Sequence, residues 1–400
     1  MKRARCSVGA ETVRMLELGH PWVIADRFTK SWPPGKSGDL IELCDDAGKL
    51  LATALYDPGE RIVARILGPG RVDLDAAWLD LRLCAALALR QQHVDLDGTD
   101  AYRLVNGEGD GLPGLTVDGY RERLMIQLFT GAWRPYLPLL VQRLQKLLAP
   151  AGIYEKLRPQ QTRELAAAGG EKHYARLLAG VAAPGRQSVS ENGLTFLVEL
   201  ETGLNTGLFL DQRENRRDLM RRVAGRTFLN LFAYTGAFSV AAAAAGATRV
   251  TSVDASGAYL DWAQENFGAN RLNPKRHEFI VGDCFSILDQ LLAEGRRFDV
   301  VLMDPPSFST TARNTFTTRG GTSALVAKAL QLLPPGGLLV TSSNHQKVDV
   351  ADYLKELRRG VLAAGCELRV IGLRGQPGDF PYPPTFPEGR YLKYLLGVKG

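Results

Sequence analysis

The sequence predicts an α/β protein whose C-terminal half is a doubly wound, mostly parallel sheet, preceded by a small β-rich piece and an α+β piece. Two observations predict it. From about residue 195 onward, apolar strand-like runs (TFLNLF, RVTSVD, HEFIVG, FDVVLMD, GGLLVTSS) alternate with helical stretches. Continuous apolar strands separated by helices are buried on both faces and pair in parallel. Before residue 190 the rhythm differs, with short period-two runs broken by turn residues.

The first zone is taken as residues 1–72. DLIELCDDAGKLLATALYD reads as a hairpin about Asp-Asp-Ala-Gly, and RIVARILG as a further strand of a small β module. The second zone is taken as residues 73–192. It opens with a helix over Leu74–His93, whose apolar residues recur at three and four spacing. The glycine-rich YRLVNGEGDGLPGLTVDGYRERLMIQLF reads as paired strands, and Pro135–Leu148 as an amphipathic helix. The third zone, residues 193–400, holds the five apolar strands. Two more, over Glu367–Leu373 and Arg390–Val398, are expected to form an antiparallel edge.

A chain of 400 residues exceeds one compact unit. No apolar run reaches the roughly 18 residues of a membrane span, and the start, MKRARCSVGA, lacks the apolar core of a secretory signal. Cys6, Cys44, Cys84, Cys284 and Cys366 show no CxxC spacing, which points to a reducing cytoplasm and against a disulfide framework or zinc site. The five histidines are equally dispersed, so no metal is expected. A net charge of +6 suits a polyanionic partner. Met1–Lys36 carries seven Lys/Arg against three acids, and Arg213, Arg216, Arg217, Arg221 and Arg222 cluster within ten residues.

Ligands of open α/β sheets bind beyond the carboxyl ends of the strands. After the first strand comes Asn230-Leu-Phe-Ala-Tyr-Thr-Gly236, where one glycine lets the backbone approach a ligand. The GxGxxG cradle for a pyrophosphate is absent, which disfavours a nicotinamide dinucleotide and hence an oxidoreductase. The second strand ends in Asp254, 18 residues after Gly236, where a carboxylate suits a ribose diol. The third ends in Gly282-Asp283-Cys284, where an acid can accept from an adenine amino group. Either aspartate alone reads equally as a helix N-cap. Two after consecutive strands point to a nucleoside without a pyrophosphate, such as S-adenosylmethionine. The fourth strand ends in Asp304-Pro305-Pro306-Ser307-Phe308. Two prolines lock φ and leave carbonyls free, so Asp304 and those carbonyls can accept base N–H groups while Phe308 stacks on the ring.

In order and spacing, these motifs resemble one family along nearly the whole chain: bacterial 23S ribosomal RNA methyltransferases with an N-terminal PUA domain. GHPWV at Gly19–Val23 resembles the PUA segment, and Tyr102–Asp118 the family's central domain. TGLFLDQRENRR at Thr206–Arg217, FAYTGAFS, DPPSF and FPEGRYLK resemble its methyltransferase part. The resemblance implies a Rossmann-like class I methyltransferase domain with a seven-stranded sheet. It implies an S-adenosylmethionine site around Phe232, Tyr234, Gly236, Asp254, Asp283, Cys284 and Asp304, with Asp211 and Arg213 lining the same cleft. It also implies that the PUA-like zone holds ribosomal RNA in the cytoplasm; a homodimer is kept open.

Family members that methylate cytosine C5 need a thiolate to add to C6, which the family carries in a Ser-Cys-Ser stretch after the fifth strand. Here Val340-Thr-Ser-Ser343-Asn344-His345 follows, with Ser343 in the cysteine's place. A serine hydroxyl is hardly ionised without an activating base. The expectation is therefore direct attack by a base nitrogen, with Asp304, Pro305, Pro306, Phe308 and Ser343 around the target. The alternatives are C5 methylation with a variant catalytic residue, and a non-catalytic RNA-binding homologue. Gly378-Asp379-Phe380-Pro381 replaces a family Asp-His-Pro and suggests a changed substrate-side wall.

Overall fold

The computed structural model describes residues 3–157, 174–306, 308–310, 315–317 and 321–400. Contacts divide the chain into two units: residues 1–186, 199–205 and 378–389 form the first, and residues 187–198, 206–377 and 390–400 the second.

The first unit carries two five-stranded sheets. One comprises β1 (Ala4–Ser7), β2 (Trp22–Ile24), β3 (Leu40–Cys44), β4 (Leu50–Tyr56) and β5 (Ile62–Pro69), in the order β1-β3-β4-β5-β2. The expected hairpin is β3–β4, pairing Leu40 with Leu55. Helix α1 (Ala10–Glu17) joins β1 to β2, and α2 (Ala76–His93) follows the sheet, capped by the Asp75 side chain on Trp78 N. The other sheet comprises β6 (Ala101–Asn106), β7 (Leu115–Tyr120), β8 (Arg123–Leu128), β9 (Gly152–Lys156) and β10 (Ala175–Gly180), with α3 (Leu137–Leu148) between β8 and β9. Leu55 and Leu67 of the first sheet pack into the same core as Leu79, Leu83, Val117, Ile126 and Trp133.

Asp379 corrects one expectation. It is fully buried in the first unit, where its carboxylate accepts from Arg103 N at 2.9 Å and its carbonyl from Arg90 Nη2 at 2.7 Å. Arg90 also makes a bidentate pair with Asp110, and Phe380 lies under the Arg103 guanidinium at 4.3 Å. Breaking such a buried pair costs about 3–5 kcal/mol. This stretch is an anchor of the first unit, with the polar groups of Asp379 engaged by Arg103 and Arg90.

The second unit begins with the hairpin β11 (Arg186–Glu191) and β12 (Leu194–Glu199), then α4 (Arg213–Met220). The wound sheet follows: β13 (Thr227–Leu231), α5 (Ala237–Ala244), β14 (Arg249–Asp254), α6 (Gly257–Ala269), β15 (Glu278–Val281), α7 (Cys284–Ala293), β16 (Val300–Met303), the short β17 (Phe308–Thr310) and β18 (Thr315–Thr317), α8 (Gly321–Leu332), β19 (Leu338–Ser343), α9 (Val350–Ala364), β20 (Leu368–Arg374) and β21 (Lys393–Lys399). The sheet is seven-stranded in the order β15-β14-β13-β16-β19-β21-β20. The first five strands are parallel neighbours, and β21 runs antiparallel to both β19 and β20. Leu229, Leu231, Val253, Val301, Met303, Leu339 and Leu395 are buried from these strands against Leu288, Leu325, Val326 and Leu357 of the helices. Each such side chain contributes about 1.5–3 kcal/mol when fully buried. Asn230, expected just after the first strand, instead lies within it, where its amide donates to Ser239 Oγ at 2.9 Å and ties β13 to α5.

Candidate functional site

The sheet order turns back between β13 and β16, because the chain winds outward through β14 and β15 before returning beside β13. Such a reversal opens a crevice at the carboxyl ends of the strands. Asp304 stands there, directly after β16. The β16–β19 register pairs Met303 with Thr341, which sets Asp304 beside Ser342 at the next strand tip. Gln212 closes the group: its Nε2 donates to Asp304 Oδ2 at 3.0 Å and to Ser342 Oγ at 2.8 Å. Burial pushes the Asp304 carboxyl up to about 6, the Asp211 charge adds to this, and Ser342, Gln212 and Arg216 oppose it. Asp211 in turn accepts from the Tyr391 hydroxyl at 2.8 Å.

The turn after β13 is strained. Phe232, Tyr234 and Gly236 have φ of 60°, 52° and 75°, and the left-handed region costs a non-glycine residue about 1–2 kcal/mol. Asp254 holds the turn by accepting from Tyr234 N at 2.8 Å through Oδ2, while its Oδ1 accepts from Ser256 N at 2.9 Å. A carboxylate has about four lone-pair sites, so these contacts leave acceptor capacity at the tip of β14. The Tyr234 ring lies 5.3 Å from Phe209 and 4.6 Å from Tyr259. Burial, with Tyr259 adding, pushes its phenol well up.

Other candidates take different places. Gly236 lacks a side chain for packing: a Cβ there would lie 2.6 Å from Cβ of Ala263 on α6. Its expected role in backbone approach to a ligand is thus joined by a helix–helix requirement. Asp283 caps α7, its Oδ1 accepting from Phe285 N and Ser286 N at 3.1 Å each. Cys284 is 3% exposed and packs among Leu288, Leu291 and Phe298, and burial pushes its thiol far up. Its side chain therefore belongs to the core, not to a cofactor cleft. Arg213 is fully buried, with Nε directed to Glu214 and its carbonyl accepting from Asn192. Ser343 ends β19 opposite Lys393, and its Oγ accepts from His345 N at 3.4 Å. His345 Nδ1 itself accepts from Lys347 N at 3.2 Å, so that nitrogen does not serve Ser343 as a base. Pro305 is buried and Pro306 exposed. Ser307 and the Phe308 side chain lie outside the described residues.

Comparison with known proteins decides the family. The model of the S-adenosylmethionine-dependent methyltransferase family matches residues 103–382, more than half of the chain. The chain belongs to that family. A PUA-like domain model matches residues 8–69. The chain is 34% identical over 379 residues to ribosomal RNA large subunit methyltransferase I of Klebsiella pneumoniae, covering 94% of this chain and 93% of the relative. It is 34% identical over 377 residues to the enzyme of that name from Yersinia pseudotuberculosis, covering 94% of each. A solved structure named as a methyltransferase, complexed with SAH, superposes with a TM-score of 0.88 at 28% identity, covering 99% of this chain and 100% of that one. One from Streptococcus mutans, named as an S-adenosylmethionine-dependent methyltransferase, gives 0.86 at 27%, again over 99% and 100%. The class I sheet and PUA-like start expected from the sequence are therefore both present in this methyltransferase.

Sequence reasoning missed Gln212, which lies between the two residues it chose in the LDQR stretch, and missed Ser342 and Tyr391. Much of the arginine cluster whose charge suits a polyanionic partner is engaged inside the second unit. Arg216 makes a bidentate buried pair with Glu191, Arg217 donates to Asn192, and Arg222 is bidentate to Asp218. These guanidiniums are occupied by internal acceptors: Arg216 and Arg217 of α4 face β11 and the turn after it, and Arg222, just beyond α4, turns back onto Asp218. Among the described residues no helix is long and apolar enough to cross a membrane.

Proposed function

We propose that this methyltransferase transfers a methyl group to a base of 23S ribosomal RNA by direct attack of a base nitrogen. The observation that carries the nitrogen reading is the lack of a cysteine at the tip of β19: Ser342 and Ser343 close that strand, Asn344 and His345 follow it, and the Cys284 thiol beyond β15 is sealed in the core. Attack at cytosine C5 needs a thiolate on C6; attack by nitrogen needs none. The relatives named as large subunit methyltransferases, and the PUA-like segment at residues 8–69, support ribosomal RNA as substrate.

The residues at the strand tips fit the cofactor. Asp254 retains acceptor capacity for a ribose diol, Asp283 stands at the next tip, and the turn at Phe232, Tyr234 and Gly236 has no phosphate cradle. We assign these residues, with Asp211 and Arg213 behind them and the backbone at Cys284, to S-adenosylmethionine. When bound, that group supplies an electrophilic methyl on a sulfonium. Asp304 would accept the N–H of the attacking nitrogen and take its proton as the new bond forms, which its raised value of about 6 permits near neutrality. Pro305 and Pro306 leave carbonyls for the base edge, and Phe308 offers a stacking face. Ser343 borders the target without nucleophilic duty. We assign RNA holding to residues 1–72, a linking role to 73–192 and transfer to 193–400, all in the cytoplasm.

Nucleoside mass spectrometry of 23S RNA incubated with labelled cofactor tests the reading. An N-methylated nucleoside is expected; a 5-methylcytosine product would overturn the nitrogen assignment. Size-exclusion with light scattering checks the homodimer.

A further inference from the structure

Gln212 has the geometry of a part built to hold another part. Both hydrogens of Nε2 are used, one on Asp304 Oδ2 and one on Ser342 Oγ. Its Oε1 accepts from Asn215 Nδ2 at 2.7 Å. A primary amide has two orientations that exchange nitrogen and oxygen. Asn215, three residues further along the chain on α4, selects one of them by presenting a donor to Oε1. The alternative orientation would set two donors against each other at that end and an oxygen against a carboxylate at the other. Gln212 is 4% exposed and Asn215 1%, so water does not compensate for a misplaced group, and such a clash costs about 1–3 kcal/mol.

We propose that Gln212, oriented by Asn215, is a positioning residue for methyl transfer: it fixes the rotation of the Asp304 carboxylate and so determines which oxygen meets the substrate base. The inference rests on Asp304 facing that base, as assigned above. The donated hydrogen bond also favours the ionised, accepting form of Asp304. Five other groups act on that carboxylate. Asp211 opposes ionisation, while Arg216 of α4 and Ser342 of β19 favour it. The hydroxyls of Tyr353 on α9 and Tyr394 on β21 lie within its field. Gln212 is a neutral contributor whose donors can be removed without changing net charge.

The test uses the full chain, 23S RNA and two substitutions. Gln212→Leu removes the donors; Gln212→Glu keeps the shape and sets a second carboxylate against Asp304. Both should lower kcat at pH 7 by about 10–100-fold, as loss of a supporting hydrogen bond does elsewhere. Both should move the acid limb of the kcat–pH profile upward by about one unit or more, with cofactor Kd by calorimetry changed less than about threefold. Asn215→Asp, which repels Oε1, should move the limb the same way. A merely structural Gln212 would lower Tm and leave the limb in place, and that result overturns the inference.

A substrate-free readout separates this from the function assigned above. Ionisation of Asp304 costs the folded state stability as pH rises, so the fall in Tm between pH 4 and 8 should extend to higher pH in Gln212→Leu. If that extension is seen but no RNA is methylated, the positioning stands and the substrate assignment fails. If RNA is methylated and neither profile moves, the positioning fails.

Discussion

Replacing Gly236 by alanine separates a packing role from a cofactor role. The new Cβ would lie 2.6 Å from Cβ and 3.3 Å from Cα of Ala263, whereas apolar carbons rest at about 3.5–4.0 Å. Helices α5 and α6 must therefore part by about 1 Å, an overpacking that costs about 1–3 kcal/mol. The backbone at φ +75° adds about 1–2 kcal/mol for a residue with a side chain. Together these give a loss of about 2–5 kcal/mol, or a fall in Tm of roughly 4–20 °C for a unit of about 200 residues. Scanning calorimetry of Gly236→Ala, Ala263→Gly and the double variant measures it. Removing the Ala263 methyl should relieve the overpacking but not the backbone strain, so the double-mutant cycle should show a favourable coupling of about 1 kcal/mol or more. A Gly236→Ala protein with an unchanged Tm and lost cofactor binding would refute the packing argument and leave close ligand approach as the only reason for glycine.

Three further outcomes follow from other sites. Glu191→Gln leaves the Arg216 guanidinium short of its buried carboxylate and should destabilise the second unit by about 3–5 kcal/mol, read by urea unfolding. Cys284→Ala should retain methyl transfer on 23S RNA, and a maleimide should label exposed Cys84 in the native protein while sparing Cys284, since burial keeps that thiol protonated; rapid labelling of Cys284 would contradict this. Asp304→Asn should abolish transfer yet raise stability at pH 7–8. The wild-type carboxyl titrates higher folded, at about 6, than its ordinary 3.8. The stability tied to its neutral form is therefore fully present below about pH 4 and is lost as pH rises through about 6. The Tm gap between the two proteins should close on acidification, and a gap independent of pH would contradict the shift.

The wound sheet was legible because short apolar-rich runs, such as Val300–Met303 and the Leu338–Val340 start of β19, alternate with helical stretches and end in polar or turn residues. A strand buried on both faces favours such a composition, and the polar side chains it does bury, such as Asn230, are paired internally. The tips themselves were legible for the same reason: Asp254 and Asp304 are the first carboxylates where the apolar run stops. Roles at those tips were less so. Asp283 presents the same residue type at the same place, but its Oδ1 is occupied as a helix cap. Cys284 is one residue further on, and the rotation of about 100° per residue that starts α7 turns its side chain into the core.

Composition and periodicity thus determined by themselves the class of fold, the order of its strands in the chain and the acids at their ends. Tertiary structure alone decided the neighbours. Gln212, not Asp211 or Arg213, reaches Asp304, because successive side chains on a helical turn point in different directions and only one direction faces β16. Arg216 of α4 and Arg222 just beyond it serve Glu191 and Asp218 for a related reason. Charge is written in the sequence, but the partner that consumes it is set by which element folds against that face.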